Sequence, residues 1–316
     1  MTYQEAAGFL LAHDRYLILT HLRPDGDTVG CAAGLCRALR QAGKTAYVLS
    51  NREVTPLFSP YLEGLLAPEG WRPDTVVSVD IAARGLFPDN AQPYLDRVDL
   101  AIDHHPSQEF FAGETCLDAG RAACGELVLE IAEQLGPITP DIAVPLYVAV
   151  STDCGCFAYG NTTADTHRAA ARLIDCGIPL SQLNKRHFRT KTLRRLQVES
   201  AIVRSMELLD GGRTALAFIS LDLLAQTGAD ERDLDDIANF VGQIEGVCNA
   251  ATLRELSPGR CKLSLRTDPA VLNANHVCAL LGGGGHAAAA GATMEGTLQQ
   301  AREAVLRAIE QVQAHG

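Results

Sequence analysis

Leu100-Ala101-Ile102-Asp103-His104-His105: three apolar residues end in one carboxylate and two imidazoles. The pattern recurs along the first half of the chain. Residues 16–20 run into His21-Leu22-Arg23-Pro24-Asp25-Gly26-Asp27, Val76-Val77-Ser78-Val79 ends in Asp80, and Ser151-Thr152 leads into Asp153. Short apolar segments alternating with amphipathic ones predict a parallel α/β sheet. The carboxyl ends of its strands open onto one crevice. Carboxylates and imidazoles gathered there are the donor set that a pair of divalent metals requires.

Working outward, the periodicity predicts strands at 16–20, 45–50, 75–80 and 98–103. Helices are expected at 5–13, 27–41, 122–135, 140–152 and 163–176, with Asp27 and Thr28 as caps of the second. A basic helical stretch covers 181–209. The texture then changes: a strand at 214–220, a helix at 231–241, and a hairpin of 247–256 with 260–267 across Ser257-Pro258-Gly259. A helix at 270–281 runs into Gly282-Gly283-Gly284-Gly285-His286, and a short strand near 290–294 and a helix at 298–313 follow. The expectation is an α/β protein: a doubly wound parallel domain over 1–188, a helical linker over 189–212, and a smaller α/β domain with a mixed sheet over 213–316.

Bulk properties narrow the function. With 316 residues the chain exceeds one comfortable core. A formal charge of −11 argues against a broad basic face for long nucleic acid, though not against a small anion held by cations. The apolar runs are too short to span a bilayer and the first residues lack a signal-peptide pattern, so a cytoplasmic protein with no membrane partner is expected. Ten cysteines without a CxxC pair read as reduced core residues.

Any single aspartate here is well explained as a strand-end cap or turn former. Five of them with three histidines, all at the tails of apolar segments, are poorly explained that way jointly. His21-x3-Asp25-x-Asp27 places one imidazole and two carboxylates on one turn, and the 25/27 spacing lets the two carboxylates point to different metals. Asp80 could bridge both, and Asp103, His104 and Asp153 could complete the second site and its surroundings. Tyr159 and Phe157 follow the last motif; either could stack a base, with core packing favoured for Phe157.

His21-x-x-Pro24-Asp25-Gly26-Asp27-x-x-Gly30, Asp80, Asp103-His104-His105 and Asp153 resemble, in order, the four motifs of the DHH phosphoesterases. Gly282 to His286, followed by Ala289-Ala290-Gly291, resembles the associated DHHA1 domain. Asp103-His104-His105-Pro106, the stretch from Asp153 to Thr163, and Ser264-Leu265-Arg266 are similar to the bacterial nanoRNase and pAp phosphatase subgroup. Cys31 departs from a common serine, away from the ligand positions.

The resemblance implies two divalent ions, manganese with magnesium or cobalt as substitutes. His21, Asp25 and Asp80 would hold one; Asp27, Asp80, His104 and Asp153 the other. His105 would contact the reacting phosphate and Asp103 would orient the neighbouring histidines. Gly283, Gly284, Gly285, His286 and Arg266 would bind the rest of the substrate. It further implies hydrolysis of short oligonucleotides or nucleoside bisphosphates, and it allows a homodimer. The alternatives weighed are a cyclic-dinucleotide phosphodiesterase, a pyrophosphatase or exopolyphosphatase and, outside enzymes, a nucleotide sensor. A sensor would not need the full set of His and Asp positions.

Overall fold

The computed structural model describes residues 1–234 and 237–315, and the chain divides into two compact units, Met1–Thr190 and Lys191–Gly316. In the first unit five strands form one parallel sheet: β1 (Tyr16–Leu19), β2 (Ala46–Val48), β3 (Thr75–Val79), β4 (Leu100–Asp103) and β5 (Glu114–Leu117), in the order β2-β1-β3-β4-β5. The order reverses beside β1, so the crevice outside the carboxyl ends of β1 and β3 is the topological switch point. The strands β1, β3 and β4 are buried on both faces, which is why they read as apolar runs rather than as alternation.

Tyr16 and Ile18 of β1 pack among α1 (Tyr3–Ala12), α2 (Gly26–Gln41), α3 (Cys124–Leu135) and α4 (Pro140–Asp153). Leu17 and Leu19 face the other way, toward Phe87, Ala91 and Val98 in a covering of 3₁₀ turns and loop. One more helix of the unit, α5 (Ala164–Asp175), follows α4.

The pairing of α2 with α4 decides where the chemistry sits. Gly26, Gly30 and Gly34 form a stripe at four-residue spacing on α2. A Cβ on each would lie 2.2 Å from Thr152 Oγ1, 2.3 Å from the Pro145 carbonyl and 2.5 Å from a Leu146 methyl. Only hydrogen fits there. The contacts run antiparallel, so the last turn of α4, which ends at Asp153, lies against the first turn of α2, which follows Asp25.

The basic stretch is not one helix. It contains α6 (Leu180–Asn184) and a π-helical turn, Lys185–Arg189, then breaks before α7 (Leu193–Ser205), which Thr192 caps. In the π turn His187 stacks on Phe58 with centroids 5.6 Å apart, and its Nε2 lies 2.7 Å from the Tyr61 hydroxyl. Burial, then Arg186, lowers its pKa to about 4, so it is a neutral packing residue of the first unit.

The second unit carries a six-stranded sheet of β6 (Glu207–Leu209), β7 (Thr214–Ile219), β8 (Asn249–Ser257), β9 (Arg260–Thr267), β10 (Gly284–Gly285) and β11 (Ala289–Glu295). Its order is β10-β11-β9-β8-β7-β6, and only β7 and β8 run parallel. Val198 and Ile202 of α7, with α8 (Leu221–Thr227) alongside, cover one face of the sheet. The other face is covered by α9 (Ala274–Leu280) and α10 (Leu298–His315).

Several expectations are corrected. Residues 231–241 do not form a continuous helix: 3₁₀ turns occupy Glu231–Leu234 and Ile237–Asn239, and positions 235 and 236 lie outside the described residues. α9 starts at Ala274 rather than 270 because the Asn273 side chain accepts the His276 amide as a cap. α2 is capped by Asp25, whose Oδ1 accepts the Asp27 and Thr28 amides, and not by Asp27 or Thr28. The strands β5, β6 and β10 and the helix α8 are short, and their residues carry no periodic signal. Among the described residues no helix is long and apolar enough to cross a membrane, and all ten cysteines are free.

Candidate metal centre

The carboxyl ends of β1, β3 and β4 and the end of α4 deliver their polar residues to one place. Three groups of donor atoms lie within 4.8 Å of one another: His21, Asp25 and Asp80; Asp27, His104 and Asp153; and Asp80, His104 and His105. Asp80 belongs to two of them. It lies 3.6 Å from His21 Nε2 through Oδ2, and 3.5 Å from both His104 Nε2 and His105 Nδ1 through Oδ1. Asp80 is buried and left-handed, with φ 59°, a region that aspartate tolerates better than most residues. Its Oδ1 has no hydrogen-bond partner. A buried carboxylate oxygen without a donor is costly, and a cation would satisfy it.

Each neighbour is held by the fold. Asp27 accepts the Cys124 amide (2.7 Å) and the Gly125 amide (2.9 Å), so the N-terminus of α3 fixes it, and its Oδ2 lies 3.9 Å from His104 Nε2. His104 Nδ1 lies 3.1 Å from the Arg121 carbonyl, which turns Nε2 toward Asp80 and toward Asp153 Oδ2 at 3.7 Å. His21 Nδ1 lies 2.8 Å from the Leu22 carbonyl, and its Nε2 is 3.5 Å from Asp25. Such outer partners set which ring nitrogen is offered to a metal.

Asp103 is fully buried. Its Oδ1 accepts the amides of His104 (2.8 Å) and His105 (3.2 Å) and lies 2.8 Å from His105 Nδ1. It therefore meets the ring of His105 and the backbone amides of both histidines, while the ring of His104 meets the Arg121 carbonyl.

The electrostatics are those of crowded carboxylates. Burial raises Asp27 well above the usual carboxylate range, with Asp80 and Asp153 adding to it. Burial also raises Asp80, against the pull of His21. Burial lifts Asp153 to about 6, with His104 opposing and Asp80 adding. Burial pushes His21 down, but Asp25 and Asp80 outweigh it and bring it to about 11. Asp103, through its hydrogen bond, raises His105 above the ordinary imidazole value, against burial. Excess negative charge in a dry site is what divalent cations neutralise, so the donor set fits a metal pair.

Tyr159 is exposed and packs its ring over Gly155, where a Cβ would lie 2.4 Å from it. Phe157 stacks on His167 at 5.0 Å and packs against the core.

The second-unit residues are placed differently. Gly284 and Gly285 pair with Gly291 and Ala290 as β10 and β11. A Cβ on Gly283 would lie 2.1 Å from the Gly291 carbonyl, and one on Gly285 would lie 2.6 Å from the Ala289 carbonyl. The amides of Gly282, Gly283 and Gly285 donate to Ala279, Cys278 and the Asn275 side chain, at 3.2, 2.8 and 3.0 Å. The glycines serve close strand approach, and the amides of Gly282, Gly283 and Gly285 are engaged within the fold. His286 is exposed, and Arg266 donates to Asn239 (3.0 Å) and to the Leu265 carbonyl (3.1 Å).

Residues that sequence reasoning missed include Gln108, Asn275 and the backbone groups of Arg121, Cys124 and Gly125. Backbone donors leave no residue-type signal.

Residues 15–150 match the DHH family N-terminal domain and residues 213–314 the DHHA1 domain. The chain is 33% identical to the bifunctional oligoribonuclease and PAP phosphatase NrnA of Thermus thermophilus, over 93% of this chain and 89% of that protein. It is 24% identical to the protein of the same name from Bacillus subtilis, over 89% and 90% respectively. An exopolyphosphatase-related protein from Bacteroides fragilis shares the fold with a TM-score of 0.89, at 22% identity over 99% of this chain and 96% of that one. With a strand-end cluster built on the DHH triplet and both domain families matched in order, this chain belongs to the DHH–DHHA1 phosphoesterases.

Proposed function

We propose that this phosphoesterase cleaves very short oligonucleotides to mononucleotides and removes a phosphate from 3′-phosphoadenosine 5′-phosphate. The observation that carries the reading is Asp80, a buried carboxylate shared between two donor groups, with one oxygen unpartnered. The names of the two NrnA relatives support the substrate class. A net charge of −11 favours small substrates over long strands, and a cytoplasmic location belongs to the same proposal.

His21, Asp25 and Asp80 would hold one divalent ion, and Asp27, Asp80, His104 and Asp153 the other, with manganese preferred because imidazole suits transition metals better than magnesium. When bound, such a pair acidifies a water and neutralises charge on the phosphate oxygens. His105, its Nδ1 held by Asp103, keeps Nε2 for the leaving oxygen: water attacks phosphorus and releases a proton to solvent, the bond to the leaving alcohol breaks, and that oxygen takes the proton of His105, which solvent then restores. His286, Arg266, Gly283, Gly284 and Gly285 would contribute to substrate binding.

The test uses metal-stripped protein with Mn²⁺ or Mg²⁺ added back, assayed on pApA, pAp, pyrophosphate and a 20-mer. Turnover of the first two is expected, abolished by stripping and restored better by Mn²⁺. Full turnover without metal, or a 20-mer cleaved as fast as the dimer, overturns it.

A further inference from the structure

Outside the ligands, one buried side chain connects two of the loops that carry them. Gln108 is 5% exposed. Its Nε2 donates to the Asp103 Oδ2 at 2.6 Å and to the Ile81 carbonyl at 2.9 Å, while its Oε1 accepts the Phe110 amide at 3.1 Å. Ile81 follows the left-handed Asp80, and Asp103 holds His105 through its other oxygen. A carboxylate turns freely about its last bond unless both oxygens are held. Backbone amides and His105 fix Oδ1, and Gln108 fixes Oδ2.

We infer that Gln108 is a positioning residue that, through Asp103, sets the imidazole of His105 for proton delivery and locks it to the loop carrying Asp80. The inference rests on the role given to His105 above. The residue type follows from the geometry. One NH₂ group must reach two acceptors on different loops while the carbonyl takes an amide. Glutamate offers no second donor, leucine offers none, and asparagine is a methylene short. A network of this kind, fully satisfied, rigidifies what it holds.

The test compares two substrates in full-length, metal-loaded protein. With pApA the leaving alcohol needs a proton; with the p-nitrophenyl ester of thymidine 5′-monophosphate the phenolate leaves almost unaided. Q108L is expected to lower kcat on pApA by about 10- to 100-fold, within what a misplaced general acid costs. KM and metal content should stay as in the parent protein, and the nitrophenyl ester should lose less than about threefold. Adding Q108L to H105A should cost nothing more, because both changes remove one function. Equal losses on the two substrates, loss of metal, or additive losses in the double variant would overturn the role of Gln108. Unchanged pApA turnover in H105A would instead overturn the reading of His105, a separate outcome. If Q108L does not fold, Q108N keeps an amide that cannot span both acceptors and gives the same readout.

Discussion

In the first unit seven histidines and aspartates converge from three strand ends and one helix end. In the second, an exposed His286 follows the glycines of a hairpin, and Arg266 of the adjoining β9 is already engaged by Asn239. The first region is built against its own electrostatics: buried carboxylates crowd together, and each position is over-determined by amides, carbonyls and a glycine-lined helix pair. The second is built from backbone fit, and its side chains are lightly held. Chemistry that needs atoms fixed within a fraction of an ångström belongs on the first kind of frame, and adaptable recognition on the second.

The largest effect that would break this contrast is at Asp80. Asp80→Ala should lower kcat/KM on the order of a thousandfold or more and reduce bound metal below two per chain, since one carboxylate serves both donor groups. Metal analysis beside steady-state kinetics checks it; two ions retained would make Asp80 an ordinary neighbour.

Glycine substitutions sharpen the same contrast. Gly30→Ala sets a methyl group 2.3 Å from the Pro145 carbonyl and should destabilise by about 1–3 kcal/mol, even after the gain in helix propensity. Gly284→Ala meets nothing closer than Asn275 at 3.6 Å and should shift stability by less than about 0.5 kcal/mol. Urea midpoints of the two variants decide; equal losses would mean that both regions are packed alike.

The smallest effects are expected at the second-unit side chains. His286→Ala and Arg266→Ala should each lower kcat/KM on pApA by about 5- to 10-fold while leaving two ions bound, as distal contacts do. Kinetics on a ladder of lengths from dimer to 20-mer would show the loss confined to the shortest substrates. Loss of metal in either variant would erase the distinction between the two regions.

The clustered aspartates and histidines were legible because polar residues at strand ends interrupt apolar runs, and such interruptions survive in one dimension. Asp80 is the clear case: four apolar-context residues stop at one carboxylate. Asp103 was visible for the same reason, yet its contact with the ring of His105 rather than that of His104 was not, since the Arg121 carbonyl that meets the His104 ring has no residue signature. The glycine run was legible as glycine but not as fit. Gly283 and Gly285 face carbonyls of a strand that closes only in the folded sheet. The 3₁₀ turns at Glu231–Leu234 and Ile237–Asn239 stand where a helix was expected because an apolar spacing of three or four residues suits either geometry.

The crowding of Asp27, Asp80 and Asp153 reaches past catalysis into the lifetime of the protein. Like charges confined together oppose folding, and cations bound by the proposed ligands offset that opposition only in the native state. Each tenfold rise in free ion above its dissociation constant then adds about 1.4 kcal/mol per site to the folded form. Supply of the ion and resistance to proteolysis become one quantity. A cell short of that metal would lose the enzyme by degradation as well as by idleness.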